Sequence, residues 1–316
     1  MPTTTHRRVS RWAAILIFVT VTLGGVVCAT DSSSACPAWP VCYADQVGPA
    51  LQAGWLENPI IEFVHRAISF AGLVLLGVSG RLGRRSADAR VRVLPWVALG
   101  CAVGSAVFGM MIILFTLPFA LGLLDLGFAL VAMVLAIVTD RALRAERRAS
   151  SEPFLARLAA GTLVLLGAMH LLGSVVAGTT AGGVQSYTRC LSWPLWQIHD
   201  IDRLPALQVL RIGMALSAIV LIAAVTALAA RRPAVRVPAF VAAGCLAVEL
   251  ALGALITTAG LAPTQTNGID ATIAVLYSVA AVAIMGALAW VLGAALPAAD
   301  DGADDHALAR LVAQAG

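Results

Sequence analysis

Glu62 and His65 stand one helical turn apart in the run Ile61-Glu62-Phe63-Val64-His65-Arg66. On a helix they share a face, with Arg66 beside them. An acid and an imidazole together inside a membrane span read as a polar site facing the bundle interior. The structural alternative is an imidazole that hydrogen-bonds to a neighbouring helix and an arginine that snorkels to lipid headgroups. Upstream, Cys36 and Cys42 bracket Trp39-Pro40, and they read either as a short disulfide clamp or as a redox-active pair. Asp125 and Glu249 are charges set in apolar surroundings, where a carboxylate must be solvated, partnered or used. His170, alone on an apolar stretch, reads as a hydrogen-bonded packing residue. Cys28, Cys101 and Cys245 read as buried small apolar side chains. Cys190 lacks an obvious partner, because Trp196 stands where a second loop cysteine would fall. His6, His199 and His306 lie outside the apolar stretches and carry no assignment.

The elements that must position these groups are membrane spans. Of 316 residues, 60% are hydrophobic and 12% charged, whereas a soluble domain is roughly a quarter charged. Apolar runs near 12–30, 60–80, 94–115, 118–140, 158–178, 205–229, 238–258 and 270–296 are each long enough for a spanning helix. In hydrocarbon the backbone must satisfy its own hydrogen bonds, so these runs predict helices. Arginine fixes their direction, because short cytoplasmic loops collect positive charge. Arg7, Arg8 and Arg11 precede the first span; Arg81, Arg84, Arg85, Arg90 and Arg92 follow the second; Arg141, Arg144, Arg147 and Arg148 follow the fourth; Arg231, Arg232 and Arg236 follow the sixth. The other connections are nearly free of arginine, which supports eight spans with both ends cytoplasmic in the cell membrane. The net charge of +4 resides in these anchors and is no nucleic-acid footprint. The first apolar run exceeds a signal-peptide core and lacks a convincing cleavage site, so it reads as a retained span. The tail with Asp300, Asp301, Asp304 and Asp305 reads as a solvated end.

The chain also echoes itself. Leu23-Gly24-Gly25-Val26-Val27-Cys28-Ala29-Thr30 returns as Leu172-Gly173-Ser174-Val175-Val176-Ala177-Gly178-Thr179, and the loop from Cys36 to Cys42 returns as Cys190-Leu191-Ser192-Trp193-Pro194-Leu195-Trp196. Glu62-Phe63-Val64-His65-Arg66 returns as Leu207-Gln208-Val209-Leu210-Arg211. The expectation is an all-α polytopic membrane protein of eight transmembrane helices in two pseudo-symmetric four-helix bundles, residues 1–148 and 149–316, joined near 141–157. A repeat of four spans keeps one membrane orientation, so the halves relate by an axis along the normal.

Leu23-Gly24-Gly25, the Cys36-Pro37-Ala38-Trp39-Pro40-Val41-Cys42 loop and Ile61-Glu62-Phe63-Val64-His65-Arg66 resemble the haem A synthase family of cytochrome oxidase assembly proteins. The likeness covers the whole chain in layout, while motif identity is concentrated in residues 23–66. It implies an enzyme that oxidises the C8 methyl of haem O to the formyl group of haem A, with substrate haem in the first half and a haem b cofactor in the second. In that family each haem takes a pair of histidines from the second and fourth helices of its half. Carried over, Glu62 is the catalytic acid, His65 a ligand of haem iron, and Cys36 and Cys42 the outer-loop disulfide. Arg66, Arg211, Asp125 and Tyr277 fall among the cofactor-binding positions. Haem O synthase or other oxidase assembly factors are the implied partners besides haem and the bilayer. Three of the expected histidines are absent: Asp125, Leu210 and Tyr277 stand at or near their places. Leucine cannot ligate iron, so a bis-histidine haem b has no place in the second half, although tyrosine does hold haem iron in some proteins.

Three functions follow. One is a haem A synthase-like oxidoreductase working through Glu62 and His65; another is a non-catalytic haem-binding or oxidase-assembly relative. The third is a proton-coupled small-solute transporter using Glu62, Asp125 and Glu249, against which the spans lack Gly- or Pro-broken midplane segments.

Overall fold

In a computed structural model the described residues are 3–46, 48–115, 119–144, 152–178, 205–259 and 268–296. They form eight helices: α1 Thr4–Ala29, α2 Pro59–Gly83, α3 Ala89–Phe115, α4 Phe119–Ala142, α5 Pro153–Gly178, α6 Pro205–Ala229, α7 Pro233–Thr258 and α8 Gly268–Ala295. All eight are long and apolar enough to cross a bilayer, as the hydropathy predicts. Their ends differ from the apolar runs in a systematic way. Helices α1, α3, α5 and α7 each start several residues before the run, through the arginines Arg7, Arg8, Arg90, Arg92, Arg157 and Arg236. Hydropathy marks where hydrocarbon begins, but backbone hydrogen bonding continues into the headgroup layer, so the helix outruns the signal. His6, placed outside the first span by its hydropathy, is therefore inside α1 and buried.

Proline opens several helices. Pro59, Pro153, Pro205 and Pro233 are the first residues of α2, α5, α6 and α7, where a missing N–H costs nothing and the fixed φ suits the helix. Asn58 caps α2 by accepting from the Ile60 N–H at 2.9 Å, and Thr3 caps α1 by accepting from the His6 N–H at 3.2 Å. Pro95 lies inside α3 and so leaves the Val91 carbonyl without its helical donor. The end of α2 presses against that carbonyl at Gly83, where a Cβ would collide with it.

The helices close into two rings. Helix α1 packs on α2 and α4, α2 on α3, and α3 on α4; α5 packs on α6 and α8, α6 on α7, and α7 on α8. Between the rings, α4 meets α8, α1 meets α8, and α4 meets α5. Exchanging each helix for the one four places along leaves this set of contacts unchanged, as an axis along the membrane normal requires. The seam is built on small residues, which let membrane helices approach closely. Gly286 faces Phe18 and Ile137, Gly293 faces Val138 and Arg141, and the Arg141 guanidinium lies over the Trp290 ring at 4.6 Å. Met133, Ala136, Ile284 and Leu288 fill the core between them.

One end of the bundle gathers the arginines. Arg144 donates to the Arg7 carbonyl at 2.9 Å and pairs with Asp140 at 2.9 Å, and Arg232 pairs with Glu152 at 2.7 Å. The outward faces are apolar, with Phe70, Val107, Val164, Val220 and Val248 exposed, as lipid contact demands.

Candidate functional site

At the end opposite the arginines, the segment between α1 and α2 folds onto the N-terminal ring. Cys36 and Cys42 are buried and joined as a disulfide, their Cα atoms 4.3 Å apart, the bond that the clamp and the redox reading share. Arg66 fastens this loop. Its Nη1 donates to the Ala38 carbonyl and, at 2.9 Å, to that of Val41, its Nη2 donates to the Cys36 carbonyl at 2.9 Å, and its Nε donates to Glu62 Oε1 at 2.8 Å. The guanidinium thus turns inward to the loop instead of snorkelling to headgroups.

Glu62 is 4% exposed, and its Oε2 lies 3.7 Å from His65 Nδ1, longer than a hydrogen bond. The Nε2 edge of His65 faces α1 at Gly24, where a Cβ would sit 3.6 Å from it; this gives the Leu23-Gly24-Gly25 motif a local role. Asp125 of α4 accepts a short hydrogen bond from the Ser105 hydroxyl of α3 and interacts electrostatically with both His65 and Glu62. A Cβ on Gly109 would stand 3.6 Å from Asp125 Oδ2. All four helices of the first ring therefore contribute: glycine from α1 and α3, acid and imidazole from α2, hydroxyl from α3, acid from α4.

The C-terminal ring repeats the plan with different chemistry. Arg211 and Tyr277 are buried, at 2% and 3% exposure, and lie close enough to interact electrostatically. The Tyr277 hydroxyl donates to the Glu249 carboxylate, which supplies the partner Glu249 requires. Leu210, the counterpart of His65, is 51% exposed on the apolar surface. Glu249, Tyr277 and His170 border a cavity of about 110 Å³ between α5, α6, α7 and α8; His170 thus packs in a cavity wall.

Ser105 is the site residue that reading by residue type passes over. Trp96-Val97-Ala98-Leu99-Gly100-Cys101 returns as Phe240-Val241-Ala242-Ala243-Gly244-Cys245, and counting on from each cysteine sets Ser105 level with Glu249. Each ring thus joins its third helix to its fourth by a polar pair that is at least half-buried, Ser105 with Asp125 and Glu249 with Tyr277. The acid has changed sides between the two halves.

Cys28 departs from its reading as a small apolar residue, for it is disulfide-bonded, while Cys101 and Cys245 are free thiols within α3 and α7. The second loop from Cys190 to Trp196, Thr179, His199, the acidic tail and His306 lie outside the described residues, as do the side chains of Leu207 and Gln208. Among the described residues no three His, Cys, Asp or Glu side chains converge to hold a bare metal ion.

The donor sets also bear on haem. In the N-terminal ring His65 offers one imidazole donor, and a haem held through a single histidine is an arrangement known in other proteins. In the C-terminal ring the donor set does not suit one, because Leu210 has no donor atom and the Tyr277 hydroxyl is hydrogen-bonded to Glu249. No family profile and no curated protein sequence matches the chain.

Proposed function

We propose that the N-terminal ring is the working half of a haem A synthase-like membrane oxidoreductase that converts the C8 methyl of haem O to a formyl group. The observation that carries this reading is the convergence of Glu62, His65 and Asp125 between helices that present glycine to them. A bound haem would supply a redox-active iron beside its own methyl substituents. The protein's part is to hold and aim it. His65 would hold its iron, and Asp125, fixed by Ser105, would supply a second polar group near His65 and Glu62. Taking a methyl to a formyl group gains one oxygen atom from water and releases four protons and four electrons; Glu62, oriented by Arg66, is placed to accept protons, and the electrons would pass to an external electron acceptor.

The same reading sets the arginine-rich end in the cytoplasm and the loop clamped by Cys36 and Cys42 outside, where disulfides persist. Haem O synthase or other oxidase assembly factors are the partners it implies.

The C-terminal ring favours a second reading, because Leu210 and Tyr277 stand where the resemblance expects the histidine pair of an electron-carrying haem b. On that reading the chain binds haem, or escorts it during oxidase assembly, without oxidising it. A visible spectrum and haem analysis of the purified protein separate the two. The oxidoreductase reading expects one high-spin haem per chain, lost in His65→Ala, and formyl haem from haem O that disappears in Glu62→Gln. Haem bound through His65 without formyl product selects the second reading, and a spectrum indifferent to His65→Ala ends both.

A further inference from the structure

We propose that the cavity of the C-terminal ring is a binding site for the six-membered ring of a lipid-borne para-quinone or quinol. This inference does not depend on what the N-terminal ring does.

Size comes first. The cavity measures about 110 Å³, of the same order as the engineered lysozyme cavity of roughly 150 Å³ that takes one benzene. It suits a single ring and is far too small for a tetrapyrrole. Its wall is almost wholly apolar, with Leu166, Ile219, Ile222 and Ile284 among the lining side chains, which selects an uncharged guest. Its polar groups are few and fixed, and such groups orient a ligand in an otherwise apolar pocket. Glu249 accepts from Tyr277, yet a carboxylate has about four acceptor sites, so it can also take the hydroxyl of a quinol. His170 and Tyr277 also line the cavity, bringing a nitrogen and an oxygen to it for the second ring oxygen.

Access supplies the remaining argument. Leu216 lines the cavity and is also 61% exposed on the apolar outer face of α6. The chamber therefore comes to the surface where lipid lies, and an isoprenoid tail could trail through that point while the ring sits among Glu249, Tyr277 and His170. A water-soluble guest has no such need, and a bare acyl chain has no use for the polar trio.

The test uses the full chain in phosphatidylcholine nanodiscs titrated with decylubiquinone and its reduced form. Saturable binding at one site per chain is expected. Ile219→Trp, which fills the cavity, should weaken it at least tenfold; Glu249→Gln should weaken quinol several-fold more than quinone; Val107→Ala, on the outer face of α3, should leave both affinities unchanged. A photoreactive azidoquinone on the unmodified protein guards against misfolded variants and should label residues of α5 to α8. Labelling confined to other helices overturns the proposal. So does unchanged affinity in a folded Ile219→Trp protein, or equal competition by decylbenzene, which would make the cavity an ordinary acyl-chain pocket.

Discussion

Arg66 joins two stretches of chain that are far apart in sequence. Its neighbour on the helix, Glu62, is foreseeable from a spacing of four residues, but the carbonyls of Cys36, Ala38 and Val41 lie 25 to 30 residues away. No local pattern announces them, which is why sequence alone leaves snorkelling open as an alternative. Removing the guanidinium strands Glu62, whose side chain is only 5% exposed, and breaking a buried pair from one side costs about 3–5 kcal/mol. Arg66→Ala should lower the thermal midpoint in detergent by several degrees and speed reduction of the loop disulfide. Arg66→Lys should rescue neither, because an ammonium cannot fork to several carbonyls at once. Asp125 offers the opposite experiment. Asp125→His would set a second imidazole across from His65, and under the proposed function the bound haem should turn from high-spin to six-coordinate low-spin in its visible spectrum.

Helices were the most legible level. Length and hydropathy settle all eight, because a backbone in lipid has few alternatives. What hydropathy could not carry was where helices end in polar surroundings, or which small residue meets which neighbour. Gly83 and Gly244 look alike in sequence, yet a Cβ on Gly83 meets the Val91 carbonyl while one on Gly244 meets nothing within 4 Å. Gly83→Ala should therefore destabilise by about 1–3 kcal/mol through overpacking. Gly244→Ala should be neutral or stabilise by up to about 1 kcal/mol from helix propensity. Thermal unfolding of the two variants side by side checks the contrast. The polar pairs of each ring sit between these cases. Asp125 and Glu249 stand out by charge, whereas Ser105 becomes visible only when α3 is laid over α7.

At the scale of the whole molecule, the alternation of arginine clusters and the internal repeat anticipate the arrangement of two rings, with the chain crossing back after every helix. The arginine-rich end holds the contacts of Arg144 with Arg7 and of Arg232 with Glu152, and the disulfide loop lies at the other. With the arginine end in the cytoplasm, a cysteine placed at Ser86 should react with a membrane-impermeant maleimide only after cells are broken. One placed at Gln52 should react in intact cells. The reverse pattern would invert the proposed orientation while leaving the fold untouched.

Helix α8 touches α1, α4, α5 and α7 and is the most enclosed of the eight. The ribosome delivers it after the other seven. The contacts of Val138 and Arg141 with Gly293 and Trp290 can therefore form only once the last helix has been made, and the N-terminal ring must wait for the end of the chain before its flank is closed.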